Sequence, residues 1–437
     1  MRQITIVGTG YVGLVSGGGI SEFGHEVTCT DMDQDKIKRL NSGEIPIYEP
    51  GLESLVKRNV AKGRLHFSSD VPQAIHNSNI IFIAVGTPQG SNREADLGAV
   101  EAVAKTIGKN LNSYKIVCTK STVPIGTGKR IEDIIYSVNP EADFDYVSNP
   151  EFLREGSAVK DFMHPDRVVI GTRTTKSLNA MREVYRPLYI NETPIISTSV
   201  ETAEMIKYAA NAYLALKISY INEIANLCEA VGADVHEVAR AMGLDGRISP
   251  KFLHPGPGFG GSCFPKDTHA LAAIGRNSDS PLPTIEAAIK TNESQKRRMV
   301  TKLKRLMKND IKGKSVAVLG LAFKPQTDDV REAASRVIIP KLVESGATVC
   351  AYDPIAMDNF KNHHPDIQYR DSWQDAVNGA DACIILTEWN EFRGIDLNKL
   401  KSLMNKPAIL DTKNILSIEK LESLGFTFDN VGRKKSE

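Results

Sequence analysis

Cysteine is scarce and unpaired: the six in 437 residues are scattered, with no CxxC, so neither a disulfide framework nor a cysteine zinc site is indicated. The nine histidines contain no HExxH and no spacing that joins them to a cysteine, and no metal is expected. No apolar run approaches the roughly 18 residues of a membrane helix. An apolar strand pattern already begins by Ile4, and no secretory leader is expected. The expected compartment is the cytoplasm. Charge of one sign is also lacking, since 54 Lys and Arg stand against 53 Asp and Glu for a net charge of +1. No chain-wide field draws the protein to nucleic acid or an anionic membrane, so neither is expected as a partner and any phosphate must be held locally.

What is present reads as a globular chain with more than one core. "ITIVGTGYVGL", a glycine-rich helical stretch and "HEVTCTD" form a βαβ unit, followed by strand-like runs at "NIIFIAVGTP", "YKIVCTKSTVP", "FDYVSNP" and "RVVIGT". Alternating strands and helices predict a parallel, doubly wound α/β domain over residues 1–195. The period then changes: "SVETAEMIKYAANAYLALKISYINEIANLCEAVGA" carries one helical pattern that ends before Gly232. It is apolar on more than one face, so residues 196–300 are expected to form a helical middle that builds a homodimer through this helix, with larger assemblies left open. From "KSVAVLGLAFKP" the alternation resumes, and residues 301–437 are expected to form a second, smaller Rossmann-like domain. Two such domains joined by a long helix are expected to leave a cleft for two ligands.

Gly8-Thr-Gly10-Tyr-Val-Gly13 fits GxGxxG, and its context strengthens a pattern that is weak alone. It follows a strand, opens a helix and precedes an acidic residue, Asp31, that ends the second strand. Gly8 allows the turn, Gly10 admits a pyrophosphate, Gly13 lets helix meet strand, and Asp31 accepts from a ribose. A carboxylate there favours NAD over NADP. The second α/β region has Gly320 without the remaining glycines, yet Lys324 and Arg331 offer cations for a nucleotide diphosphate.

Five cysteines, Cys29, Cys118, Cys228, Cys350 and Cys383, lie in strand or helix patterns and read as small core hydrophobes. Cys263 lies instead in "PGPGFGGSCFPKD", at the expected start of a helix with Pro265 in its first turn and Lys266 beside it, features that lower a thiol pKa. A thiolate near a nicotinamide can add to an aldehyde, and loss of hydride from that adduct leaves a thioester for water to hydrolyse. Glu204, Lys207 and Asn211 share a face of the long helix, and Lys207 and Asn211 are candidates to hold an oxyanion. Glu151 and Glu155 follow a strand as candidate base or water ligand, and Thr122 ends the neighbouring strand.

These motifs together resemble the UDP-glucose 6-dehydrogenase family, among the UDP-glucose/GDP-mannose dehydrogenases. The resemblance runs in order through "GTGYVGL", "STVPIGT", "NPEFLREGSA", "EMIKYAANAYLALKISYINE", "PGFGGSCFPKD" and "GLAFKPQTDDVRE". It implies Cys263 as the nucleophile, Lys207 and Asn211 as oxyanion stabilisers, Asp267 positioning water or relaying protons, and Glu151 as base for thioester hydrolysis beside Thr122. Glu151, Phe152, Leu153, Arg154, Lys207, Asn211, Phe252, Gly260 and Lys324 are implied to grip UDP-glucose. Arg247 is implied to reach the substrate of a neighbouring subunit. Besides the glycines and Asp31, the implied NAD contacts are Tyr11, Val12, Lys36, Thr87, Pro88, Thr122, Glu155, Lys266 and Arg331. "SNREADL" and "VREAAS" depart from the family pattern outside the proposed chemistry. A GDP-mannose or UDP-N-acetylmannosamine dehydrogenase shares the mechanism, a noncatalytic NAD-binding scaffold has no need of the full catalytic set, and a one-step hydroxy-acid dehydrogenase leaves Cys263 without a purpose.

Overall fold

The structure, a computed structural model, describes residues 1–90 and 93–434. Ser91 and Asn92 of "SNREADL", and the end of the charged tail, lie outside the described residues. The chain divides into two compact units, Met1–Ala210 and Asn211–Glu437.

The first unit is built on eight strands: β1 (Gln3–Val7), β2 (Glu26–Thr30), β3 (Leu65–Ser68), β4 (Ile80–Ile83), β5 (Lys115–Thr119), β6 (Phe144–Ser148), β7 (Val168–Thr172) and β8 (Ile195–Thr198). Their order is β3-β2-β1-β4-β5-β6-β7-β8. The central runs are β-branched and apolar without interruption because both sheet faces are covered. Alternate residues sort to two cores: Ile80 and Phe82 of β4 join one, Ile81 and Ile83 the other. The expected parallel sheet holds through β6, after which β7 runs antiparallel to β6 and β8 follows β7 in parallel. A strand that starts where its neighbour ends needs no crossover.

The second unit carries β9 (Ser315–Leu319), β10 (Thr348–Tyr352), β11 (Gln368–Tyr369), β12 (Ala382–Ile385), β13 (Ala408–Asp411) and β14 (Thr427–Asn430), ordered β11-β10-β9-β12-β13-β14. All five pairings are parallel. Ahead of this sheet lie the helices Val235–Gly243, Phe264–Asn277 and Pro283–Leu306.

The long helix is one uninterrupted element, Val200–Val231. Ser199 caps it by accepting from the Thr202 N–H at 3.2 Å, and Gly232 ends it at φ +77° with its N–H on the Cys228 carbonyl at 2.9 Å. Met205, Tyr213, Tyr220, Leu227 and Val231 stand exposed along it, at steps of eight, seven, seven and four residues that trace one stripe. Among the described residues, no helix is long and apolar enough to cross a membrane.

Candidate active site

In the first unit, the glycine turn joins β1 to the helix Tyr11–Glu22. Gly8 takes φ +107°, where a side chain would also meet the Ala84 carbonyl oxygen. A Cβ on Gly13 would fall 1.9 Å from the Gly8 carbonyl oxygen, so strand and helix approach only with glycine there. A Cβ on Gly10 would meet nothing within 4 Å, so the space over the helix N-terminus is open. Asp31 follows β2 and accepts through Oδ2 from the Thr9 N–H (3.0 Å), the Thr9 hydroxyl (2.6 Å) and Lys36 Nζ (3.2 Å). Burial alone would raise its pKa, but the Thr9 bonds and Lys36 hold it down to about 2. Its Oδ1 takes a bond from the Asp33 N–H, and the side chain is 21% exposed. An open helix N-terminus for a pyrophosphate and an ionised carboxylate for a ribose fit NAD.

Tyr11 and Val12 occupy the first turn of that helix. The Tyr11 hydroxyl donates to the buried Glu49, which also accepts the Gly156 N–H (2.6 Å) and Ala158 N–H (2.7 Å). Glu49 thereby ties the helix Tyr11–Glu22 to the segment just after Glu155, a role nothing in the local sequence signals. Thr87 and Pro88 lie beyond β4, and the Thr87 hydroxyl donates to the Thr122 carbonyl at 2.8 Å, linking the loops after β4 and β5.

Beyond β6, Glu151 is buried and meets Lys207, whose Nζ lies 2.8 Å from Glu151 Oε1 and 2.7 Å from its carbonyl. The second carboxylate oxygen accepts the Leu153 N–H. Two cations approach the Phe152 ring, the Arg167 guanidinium at 3.6 Å and Lys207 Nζ at 5.4 Å from its centre. Arg154 is held by Asp161 (2.9 and 2.5 Å). Sequence reasoning passed over Lys120, buried at the end of β5, which donates to Asn149 Oδ1 (3.1 Å) and the Tyr185 hydroxyl (3.3 Å). Desolvation pushes this ammonium down to about 8.

In the second unit, Cys263 is the residue that precedes the helix Phe264–Asn277, with proline in the first turn. Its loop is pinned at several points. Asn222 of the long helix accepts the Gly256 N–H (2.8 Å), Gln295 donates to the Gly256 carbonyl (2.9 Å), and Asn292 brackets Phe259 through its N–H (2.7 Å) and carbonyl (3.0 Å). Gly258 adopts φ +104°, and a Cβ on Gly260 would lie 2.5 Å from the Glu332 carbonyl. Gly258 is thus required by its backbone conformation and Gly260 by backbone-to-backbone packing, in a loop that delivers a half-buried thiol to a helix N-terminus. By contrast, burial raises the thiols of Cys29, Cys118, Cys228 and Cys383.

Asp267, in the first turn of the same helix, is 1% exposed and receives Asn211 Nδ2 at 2.6 Å and Lys266 Nζ at 2.6 Å. Phe252, at φ +65°, packs against Phe264. Lys324 Nζ stands 5.3 Å from the Phe323 ring centre, and Arg331 is fastened to Asp329 at 2.8 Å. Arg247 pairs with Asp245 on an exposed turn.

Three family models match in sequence order: the NAD binding domain of the UDP-glucose/GDP-mannose dehydrogenase family over residues 2–189, its central domain over 201–294 and its UDP binding domain over 317–418. The chain is 49% identical to a UDP-glucose 6-dehydrogenase of Rhizobium meliloti over 434 residues, covering 99% of each chain. It is 50% identical over 435 residues to the UDP-glucose 6-dehydrogenase TuaD of Bacillus subtilis, covering 99% of this chain and 94% of that one. Among solved structures, a UDP-glucose dehydrogenase from Pyrobaculum islandicum superposes with a TM-score of 0.93 at 35% identity, covering 99% of this chain and 98% of the other. A UDP-D-ManNAc dehydrogenase from Pyrococcus horikoshii gives 0.88 at 28% identity, with 99% of each chain covered.

Proposed function

The chain belongs to the UDP-glucose/GDP-mannose dehydrogenase family, and from that membership we propose that it oxidises UDP-glucose twice, to UDP-glucuronate, through a thioester on Cys263. The observation that carries the covalent reading is the setting of Cys263 at a helix N-terminus, in a loop locked by Asn222, Asn292 and Gln295. A simple alcohol dehydrogenase needs no such thiol.

When bound by Gly8, Gly10, Tyr11, Val12, Gly13 and Asp31, NAD supplies the hydride acceptor for both oxidations. The remaining chemistry belongs to the chain's own side chains. The sugar C6 alcohol loses a proton and a hydride to become an aldehyde. The Cys263 thiolate adds to the aldehyde carbon, and its oxygen takes a proton or is held as an oxyanion by Lys207 and Asn211. Loss of a second hydride, together with the adduct's hydroxyl proton, leaves the thioester. Water, activated by Glu151 with Thr122 and Asp267 positioning it, attacks the carbonyl; the carbon–sulfur bond breaks and the thiolate returns. In balance, UDP-glucose, two NAD⁺ and one water give UDP-glucuronate, two NADH and three protons. Phe152, Leu153, Arg154, Phe252, Gly260 and Lys324 are assigned to the sugar nucleotide, Glu155, Lys36, Thr87, Pro88, Lys266 and Arg331 to the cofactor, and Arg247 to a neighbouring subunit's substrate. The exposed stripe on Val200–Val231 supports a homodimer through that helix.

The test is NADH formed per limiting UDP-glucose, with GDP-mannose and UDP-N-acetylmannosamine in parallel. Two equivalents from UDP-glucose are expected; one would end the thioester reading, and turnover of another sugar nucleotide alone would correct the substrate. Cys263→Ser is expected to lose net turnover, and an unchanged rate would return the residue to a structural role. Light scattering of Tyr220→Glu is expected to give a smaller species than the parent.

A further inference from the structure

Glu204 shares the long helix with Lys207, yet the structure gives it different work. The helix Thr127–Val138 begins at Gly126, which sits at φ +91° and has no side chain to cap the exposed N–H groups. Glu204 supplies what is missing: Oε2 accepts the Gly126 N–H at 2.7 Å and Oε1 the Gly128 N–H at 2.8 Å. The carboxylate is buried, with Glu204 2% exposed. The fit admits little adjustment, since a Cβ on Gly128 would strike Val200 at 2.5 Å and Tyr146 at 2.6 Å.

The loop leading into that helix carries Ser121 and Thr122. Ser121 donates to the Val85 carbonyl at 2.6 Å, and the Thr122 carbonyl receives the Thr87 hydroxyl at 2.8 Å. One carboxylate therefore anchors the loop after β5, and through it the loop after β4. We infer that Glu204 is a positioning residue for the dinucleotide site: by capping a neighbouring helix it fixes the Ser121–Gly126 loop and, through that loop, Thr87 and Pro88. The inference rests on the reading above that Thr87, Pro88 and Thr122 contact NAD.

Two bonds require two accepting oxygens, so protonation converts one acceptor into a donor and releases one N–H. Burial raises the Glu204 pKa, and the Gly126 and Gly128 bonds oppose it, leaving a value of about 7. Of its charged neighbours, Glu201 on the same helix raises it and Arg173 beyond β7 lowers it. Arg173 is itself paired with Glu132 of the capped helix at 2.6 Å, Tyr146 of β6 gives its hydroxyl to Thr119 at 2.8 Å, and Lys207 is committed to Glu151 at 2.8 Å. The two-bond cap thus belongs to the ionised form.

The test is NADH affinity by fluorescence titration across about pH 6 to about pH 8, for the wild type and Glu204→Gln. A glutamine has one acceptor and one donor, so it imitates the protonated state at every pH. Wild-type affinity is expected to weaken about three- to tenfold on acidification, while Glu204→Gln stays at the weaker value throughout. A variant that keeps the wild-type pH dependence, or matches the wild type at alkaline pH, overturns the inference. Amide exchange at Gly126 and Gly128 in the wild type needs no variant: protection, corrected for the intrinsic rate, is expected to fall below about pH 7, and constant protection overturns the cap as a titrating one. No NADH binding at all overturns the inference together with the cofactor reading. NADH binding without UDP-glucose turnover overturns the substrate reading alone.

Discussion

The two sheets solve the same backbone problem and then part at a single carboxylate. Both follow the order 3-2-1-4-5-6 through their parallel strands, counted within each unit. Gly8 and Gly320 end the first strand of each at φ +107° and +97°, and each N–H bonds the carbonyl ending the second strand at 2.8 Å. Each second strand is followed by an aspartate that accepts a turn N–H: Thr9 to Asp31 at 3.0 Å, Leu321 to Asp353 at 2.7 Å. Asp353, however, is fully buried and also receives Ala322 (3.1 Å), Ile355 (2.9 Å) and Ala356 (2.8 Å) N–H groups and Trp389 Nε1 (3.0 Å). Five donors exhaust the Asp353 carboxylate away from water, whereas the Asp31 side chain remains 21% exposed. The same turn is structural in one sheet and available to a ligand in the other.

The sharpest way to break this comparison is to remove Asp353. Asp353→Ala would strand five donors, four of them backbone N–H groups, and is expected to cost at least about 3 kcal/mol of stability, measured by urea unfolding. A loss below about 1 kcal/mol would mean that the site relaxes or admits water, and Asp353 would no longer be the buried counterpart of Asp31.

The glycines sharpen it next. Gly13→Ala would drive a methyl into the Gly8 carbonyl and is expected to cost about 1–3 kcal/mol. Gly10→Ala meets nothing within 4 Å and already has a φ of −74°, so its melting temperature should stay near that of the parent. Its NADH affinity should nevertheless fall by more than about tenfold, because the added methyl occupies the approach to the helix N-terminus. In the second sheet the next helix, Ser335–Glu344, begins well beyond Gly320. Unchanged NADH binding in Gly10→Ala would detach the open turn from the cofactor.

How much of this was legible beforehand follows from the range of the interactions. The β-branched runs announced both sheets, and the spacing from Gly10 to Asp31 announced the first turn, because these signals are local. The reversal of β7 was not legible, since strand direction leaves no mark on composition. Nor was the fate of Asp353, which ends a strand much as Asp31 does but is closed off by Trp389, 36 residues away. The shared face of Glu204, Lys207 and Asn211 was visible from helical spacing, while their separate partners were not: Glu204 meets backbone 76 to 78 residues distant, Lys207 and Asn211 side chains 56 distant. The glycines around Cys263 pointed to a special loop, but the side chains that pin it come from two other helices.

The smallest expected effect lies at Asp31 itself, and it tests what exposure means. Because its pKa is depressed to about 2, its stabilising contribution is present above the ordinary carboxylate value and is lost as pH falls towards about 2. At neutral pH it is therefore ionised, able to accept from a ribose and to repel a 2′-phosphate. Asp31→Asn should leave the fold intact, since an amide oxygen still accepts from Thr9, and should weaken NADH binding by about three- to tenfold. Removing the negative charge beside Lys36 should at the same time narrow the preference for NADH over NADPH, measured as the ratio of their dissociation constants. If both affinities fall together and the ratio holds, Asp31 acts only to brace the Thr9 turn, as Asp353 braces its own, and the contrast between the two sheets disappears.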